Sequence, residues 1–140
     1  MNLTFNVNDG KRDCKYPKLT KELLSACKII DDKFILYKIF INPKPNCSLN
    51  NCHNNVINYI KTYKCGEQVV GYYILQDVIE ENKFYFILHS VVKKESDFID
   101  ITPTCDNRKF NLFLPLKDKD IKNYKKCIEY YLNNVVVLQE

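Results

Sequence analysis

The hydrophobic positions of this chain change period as they run, and the changes divide it into elements. Residues 1 to 17 are polar and read as irregular structure or a short edge strand. Over residues 18 to 31, Leu19, Leu23, Ala26, Cys27 and Ile30 recur at helical spacing, which predicts an amphipathic helix. "KFILYKIFIN" (33 to 42) is β-branched and aromatic and reads as a strand or as continued buried structure. The prolines and asparagines of "NPKPNCSLNN" (42 to 51) mark a loop that ends in a capping residue. In "NCHNNVINYIKTY" (51 to 63), Cys52, Val56, Tyr59, Ile60 and Tyr63 form a second helical stripe, capped near Gly66.

After Gly66 the pattern becomes that of strands. "EQVVGYYILQDV", "FYFILHSVV", "FIDIT" and "RKFNLFLPL" are apolar runs, and "EENK" and "KKESD" are turns between them. Gly71 inside the first run marks a bulge or a close backbone approach, and Tyr72 and Tyr73 alternate faces as core residues, one of them able to border a cleft. From 118 to 133, Ile121, Tyr124, Ile128, Tyr131 and Leu132 return to helical spacing, and "VVVLQE" reads as a last strand. Short turns join antiparallel neighbours, because parallel strands need longer crossovers. The expected fold class is therefore α+β, with helices packed on a mostly antiparallel sheet. No repeat or linker divides residues 1 to 140, which predicts one domain, long enough to bury a core without staples.

Composition narrows the class of protein. Hydrophobic residues make up 46% and charged residues 27%, as in soluble globular chains, and 3 Gly with 5 Pro argue against disorder. No run approaches the roughly 18 apolar residues of a membrane span. The N-terminus lacks the apolar core of a secretory signal, so an intracellular, cytoplasmic location is expected. The wealth of lysine, asparagine and isoleucine matches an AT-rich genome such as that of a large DNA virus, a protist or some bacteria; a viral protein would then work in the host cytoplasm. The net charge of +4 is mild, and the lysines are dispersed among acids, as in "KDKDIKNYKK". Nucleic acid is thus not the expected partner. The 7 cysteines, odd in number and irregularly spaced, point to reduced thiols. Cys27 and Cys127 fall in helical patterns and read as small core hydrophobes, and Cys105 as packing.

Three residues break their surroundings in a way that carries chemistry. His89 interrupts "FYFILHSVV" and Asp100 interrupts "FIDIT". An ionisable group among apolar neighbours is expensive without a partner, and a hairpin through "KKESD" would bring the two together. An aspartate that accepts one imidazole N–H fixes the tautomer and frees the other nitrogen. Cys52, at the first turn of its helix, meets open N–H groups and the helix dipole, both of which favour a thiolate. The same N–H groups could hold an oxyanion. The bland alternative is a structural His–Asp hydrogen bond and a packed thiol.

"CHNNV" at a helix start, "HSVV" in a strand and "IDITP" in the next resemble the papain-like and transglutaminase-like cysteine superfamily. They are also similar to the N-terminal glutamine amidohydrolases, with their "C-x-x-N-V" helix start and "H-V-V" strand. The resemblance covers residues 52 to 103, a little over a third of the chain. It implies a papain-like or transglutaminase-like core, Cys52 as nucleophile, His89 as base and acid, and Asp100 as its orienter, with Thr102 and Pro103 completing "DITP". It implies a peptide or protein amide as substrate, hydrolysed or transferred, and no cofactor. No tryptophan flanks Cys52, and no glutamine stands upstream of it as the papain-type oxyanion donor. Asn54, Asn55, His53 and the Cys52 backbone N–H are the candidates for that role or for lining the cleft. His53 otherwise reads as a residue on the solvent flank of the helix start.

Two other readings compete. Cys47, Cys52, His53 and Cys65 could be a zinc set, but no CxxC knuckle is present, and adjacent helical residues point about 100° apart. No metal is therefore expected. The chain could also be a non-enzymatic interaction module of the same fold, which would carry a large exposed apolar patch and no open cleft above Cys52.

Overall fold

The computed structural model describes residues 4–6, 13–117, 120–131 and 138–139. Strands β1 (Thr4–Asn6) and β2 (Asp13–Lys15) precede helix α1 (Lys21–Ile30), strand β3 (Tyr37–Phe40) and helix α2 (Cys52–Tyr63). Then come β4 (Glu67–Asp77), β5 (Lys83–Lys94), β6 (Asp97–Ile99), β7 (Phe110–Pro115), β8 (Cys127–Tyr131) and β9 (Leu138–Gln139). Among the described residues the strands join into one curled sheet whose ladders are all antiparallel, apart from an isolated parallel bridge between Ile41 and Asp100. The fold is thus a mixed one, two helices on an antiparallel sheet.

The long β4–β5 hairpin, paired from Glu67↔Lys93 to Gln76↔Phe84, is the spine. Alternation along it sorts the core. Val70, Tyr72, Ile74, Phe84, Phe86 and Leu88 face Leu23, Ala26 and Cys27 of α1. Tyr73, Leu75, Tyr85 and Val91 face inward from the other side, onto Phe5, Cys14, Ile39 and Phe113. Gly71 is the close approach rather than a bulge: it pairs with both His89 and Pro115, and an added Cβ would run into the Leu114 carbonyl and the Phe113 ring. α1 starts at Lys21 because Thr20 caps it, its hydroxyl accepting the Leu23 N–H at 3.2 Å. Leu19 therefore lies before the helix and is 65% exposed, off the stripe that includes Leu23 and Cys27.

One expectation is narrowed and two are corrected. The run 33 to 42 supplies only the short β3. The helical spacing of 118 to 133 is not a helix: one 3-10 turn, Ile121–Asn123, leads into β8, which pairs with β5 from Lys83↔Tyr131 to Ile87↔Cys127. Positions 124 and 128 of that stripe also share strand parity, and Tyr124 and Ile128 join the α1-side core together with Tyr130. β-branched and aromatic residues prefer that pleated setting, so the sheet edge wins, and Cys127 sits on a strand. Leu132 and the first part of "VVVLQE" lie outside the described residues, and its Leu138–Gln139 pairs with β8. The left-handed cap of α2 is Lys64, with φ of 53°, and Gly66 instead begins the turn into β4 at φ of 84°. Among the described residues no helix is long and apolar enough to cross a membrane.

Candidate active site

The edge of β5 opposite β4 is covered in two pieces. β8 pairs with Lys83 to Ile87 and β6 with Val92 to Lys94, so His89, Ser90 and Val91 lie in the interval between them. The first turn of α2 sits over that interval. Val56 anchors it, packing with Val92 and Ile101, and Tyr59, Ile60 and Cys47 extend the contact. Asn55 ties it down: its Oδ1 accepts the Ser48 N–H at 3.1 Å, and its Nδ2 donates to the Ser48 carbonyl at 2.8 Å and to Thr102 Oγ1 at 3.1 Å.

The β5–β6 hairpin turns at Glu95, whose φ is 56°, and pairs Val92 with Ile99. Extending that register puts Asp100 opposite Val91, a diagonal neighbour of His89 on the same face. The geometry follows. His89 Nε2 donates to the Asp100 carboxylate, with both oxygens at 2.9 Å. Asn111 Nδ2 donates to Oδ2 at 2.6 Å, and the Thr102 N–H to Oδ1 at 3.3 Å. The Asp100 backbone is fixed too, its carbonyl accepting the Asn42 N–H at 2.7 Å. With Nε2 committed to Asp100, the ring nitrogen left to His89 is Nδ1, and the Cys52 thiol is within its hydrogen-bonding reach. The structure thus brings Cys52, His89 and Asp100 together in that order.

Electrostatics follow from this packing. Burial alone would raise the Cys52 thiol, but hydrogen bonds and charge from His53 and His89 outweigh it and pull it down from 9.0 to about 6. Burial alone would lower His89, but the Asp100 carboxylate, and then Cys52, push it up from 6.5 to about 10. Near neutral pH the pair is therefore thiolate and imidazolium. Tyr73 packs edge-on against the His89 ring, with centroids 5.0 Å apart. Burial raises its phenol, while Arg108, hydrogen-bonded to it and stacked 4.5 Å over its ring, draws it partly back.

A cavity of about 540 Å³ opens over Cys52. Asn51, His53, Asn54, Tyr73, His89 and Thr102 are among the residues that line it, as are Cys105, Arg108 and Lys126. Of the three side chains considered as oxyanion donors, Asn55 is consumed by Ser48 and Thr102. Asn54 is exposed and donates to Asn51 Oδ1 at 3.0 Å. His53 is half-buried rather than on the solvent flank: its Nδ1 bonds Ser90 Oγ, and it also reaches the Cys52 thiol. The zinc set does not assemble, because Cys65 lies past the far end of α2, a helix length of about 18 Å from Cys52. Among the described residues no group of three or more His, Cys, Asp or Glu side chains is gathered to hold a metal ion.

Sequence reasoning missed Asn111, although its signal was the one that found His89 and Asp100: a polar side chain breaking an apolar strand, here in "FNLFLPL". Ser90 and Gln68, which bond each other at 3.1 Å beside His53, carry no such signal. Compared with protein-family models, with curated proteins and with solved structures, the chain matches none.

Proposed function

We propose that this protein is a thiol-dependent enzyme that hydrolyses or transfers the acyl group of an amide, built on a papain-like or transglutaminase-like core. The observation that carries the reading is the chain of contacts from the Cys52 thiol through His89 to Asp100, at the floor of an open cleft. A Cys–His pair oriented by a carboxylate is the arrangement nucleophilic acyl transfer requires.

In this mechanism the Cys52 thiolate adds to the amide carbon, and the carbonyl oxygen becomes an oxyanion. The first-turn N–H groups of α2 are open to receive it: the first i to i−4 bond of the helix runs from Asn55 to Asn51, and Asn51 makes no side-chain cap. The C–N bond then breaks as the His89 imidazolium gives its Nδ1 proton to the departing amine, which leaves a thioester on Cys52. Neutral His89 next takes a proton from a water molecule, or from an acceptor amine, as it attacks the thioester. His89 is thereby imidazolium again, and the collapse of that adduct expels the Cys52 thiolate, which restores the ion pair. Asp100 holds the ring in one tautomer throughout and balances its charge.

The test is labelling of native protein with iodoacetamide at about pH 6, where an ordinary thiol is almost wholly protonated. Rapid alkylation located by mass on the residue-52 peptide, and lost in Cys52→Ala, is the expected result. A Cys52 that labels no faster than the exposed Cys65 and Cys105 overturns the proposal.

A further inference from the structure

Cys52 and His53 are adjacent on α2, and His89 and Ser90 are adjacent on β5. Consecutive strand residues point to opposite faces of a sheet. Here each meets its own partner on the helix, Cys52 with His89 and His53 with Ser90. The second contact is itself held from behind. Ser90 is fully buried, and its Oγ accepts a hydrogen bond from Gln68 Nε2 at 3.1 Å. Gln68 is the diagonal neighbour of Ser90 on β4, where Val70 pairs with Ser90 and Gln68 with Val92.

This small chain has a direction. An amide nitrogen only donates, so the Ser90 hydroxyl receives from Gln68 and keeps its own proton to give. His53 Nδ1, at hydrogen-bonding distance, is the acceptor available to that proton. A neutral imidazole that accepts at Nδ1 carries its hydrogen on Nε2. His53 also lines the cleft and interacts with the Cys52 thiol, and in that tautomer its Nε2 is a donor.

We propose that His53, locked by Ser90 and Gln68 as the Nε2–H tautomer, is the side-chain oxyanion donor of the site, acting beside the Cys52 backbone N–H. The inference rests on the acyl-transfer reading above and gives a task to the second histidine of the chain. His89 moves protons, whereas His53 keeps its proton and only offers it. When the substrate carbonyl gains charge, the Nε2–H that rests against the thiolate turns to the new oxyanion, and no bond to hydrogen is broken. Of the other side chains weighed for this role, Asn55 is committed by its bonds to Ser48 and Thr102, and Asn54 is exposed and gives one Nδ2 hydrogen to Asn51.

Two measurements on the full chain test it. In long-range ¹H–¹⁵N spectra, simple to assign because the chain has 2 histidines, His53 is expected as the Nε2–H tautomer. Ser90→Ala should convert it to a mixture; an Nδ1–H tautomer in the native protein overturns the proposal. The second measurement sets acylation, which passes through an oxyanion, against alkylation, which does not. With p-nitrophenyl acetate, His53→Ala should slow the burst of p-nitrophenolate about 100-fold, and His53→Gln, which restores an N–H donor, should recover about tenfold. The pH-independent plateau of iodoacetamide alkylation, reached once Cys52 is fully ionised, should stay within about threefold of native in the same variants, while its midpoint rises because His53 no longer helps to lower the thiol. An equal fall in both rates, or no fall in acylation, overturns the role of His53 while leaving Cys52 and His89 as they stand. A native protein that gives neither burst nor alkylation overturns the acyl-transfer reading itself, and the role of His53 with it.

Discussion

The two helices lie on the same sheet, and they are held there by different forces. α1 is seated by side-chain volume: Leu23, Ala26 and Cys27 join a cluster with Tyr72, Ile74, Phe84, Phe86 and Leu114. α2 buries one valine deeply, Val56 against Val92 and Ile101, and is otherwise fastened by the amide of Asn55. Apolar packing is non-directional and tolerates small shifts, whereas hydrogen bonds fix position and angle. Stability is thus concentrated under α1, and placement under α2. A thiol that must meet one nitrogen of one imidazole needs the second kind of support.

The sharpest way to break that contrast is Asp100→Asn. The amide keeps the shape of the carboxylate but no longer favours the imidazolium, and turnover in the proposed acyl transfer is expected to fall about 10⁴-fold. Thermal melting should meanwhile move far less than for a core truncation, since the α1-side core is untouched; a parallel collapse of the fold would count against the division. Phe86→Ala is the reciprocal case. Phe86 is completely buried in the α1-side cluster, and its loss should cost about 3–5 kcal/mol in denaturant unfolding. Cys52 in the protein that remains folded should alkylate at the native rate.

The pH profile probes the α2 end alone. The Cys52 thiol is lowered, so the stability it lends is complete above the ordinary value of 9.0 and is lost as the pH falls through about 6. His89 is raised, so its contribution is complete below 6.5 and is lost as the pH rises through about 10. The ion pair therefore persists between about 6 and 10, and alkylation of Cys52 should reach half its maximum near pH 6. A midpoint close to 9 would show that the imidazoles do not reach the thiol. The smallest effect is expected at Leu19→Gln, within about 0.5 kcal/mol, because that leucine lies outside α1 and faces solvent.

Leu19 also illustrates what the sequence makes legible. Periodicity finds it as part of a stripe, but the cap at Thr20 decides where the helix begins, and a hydroxyl bond leaves no mark on hydrophobic spacing. The β4–β5 hairpin was readable because each strand is long, apolar and bounded by turn residues. β8 was not, since residues spaced by four satisfy both a helix and a strand until a neighbouring edge chooses between them. The site follows the same logic. Cys52, His89 and Asp100 stand out because each is the wrong kind of residue for its position. His53 looked peripheral because its partners, Ser90 and Gln68, are ordinary polar residues whose meeting depends on strand register.

The lowered thiol has a consequence for handling. A sulfur that is ionised from about pH 6 upward is the form that peroxide attacks, so Cys52 is the thiol of this chain most exposed to oxidation to the sulfenic acid. Cys65 and Cys105 are more open to solvent, but they lack a pair of imidazoles at the sulfur. Protein stored in air without reductant should therefore lose the Cys52 thiol before any other, while its fold, centred on α1, persists.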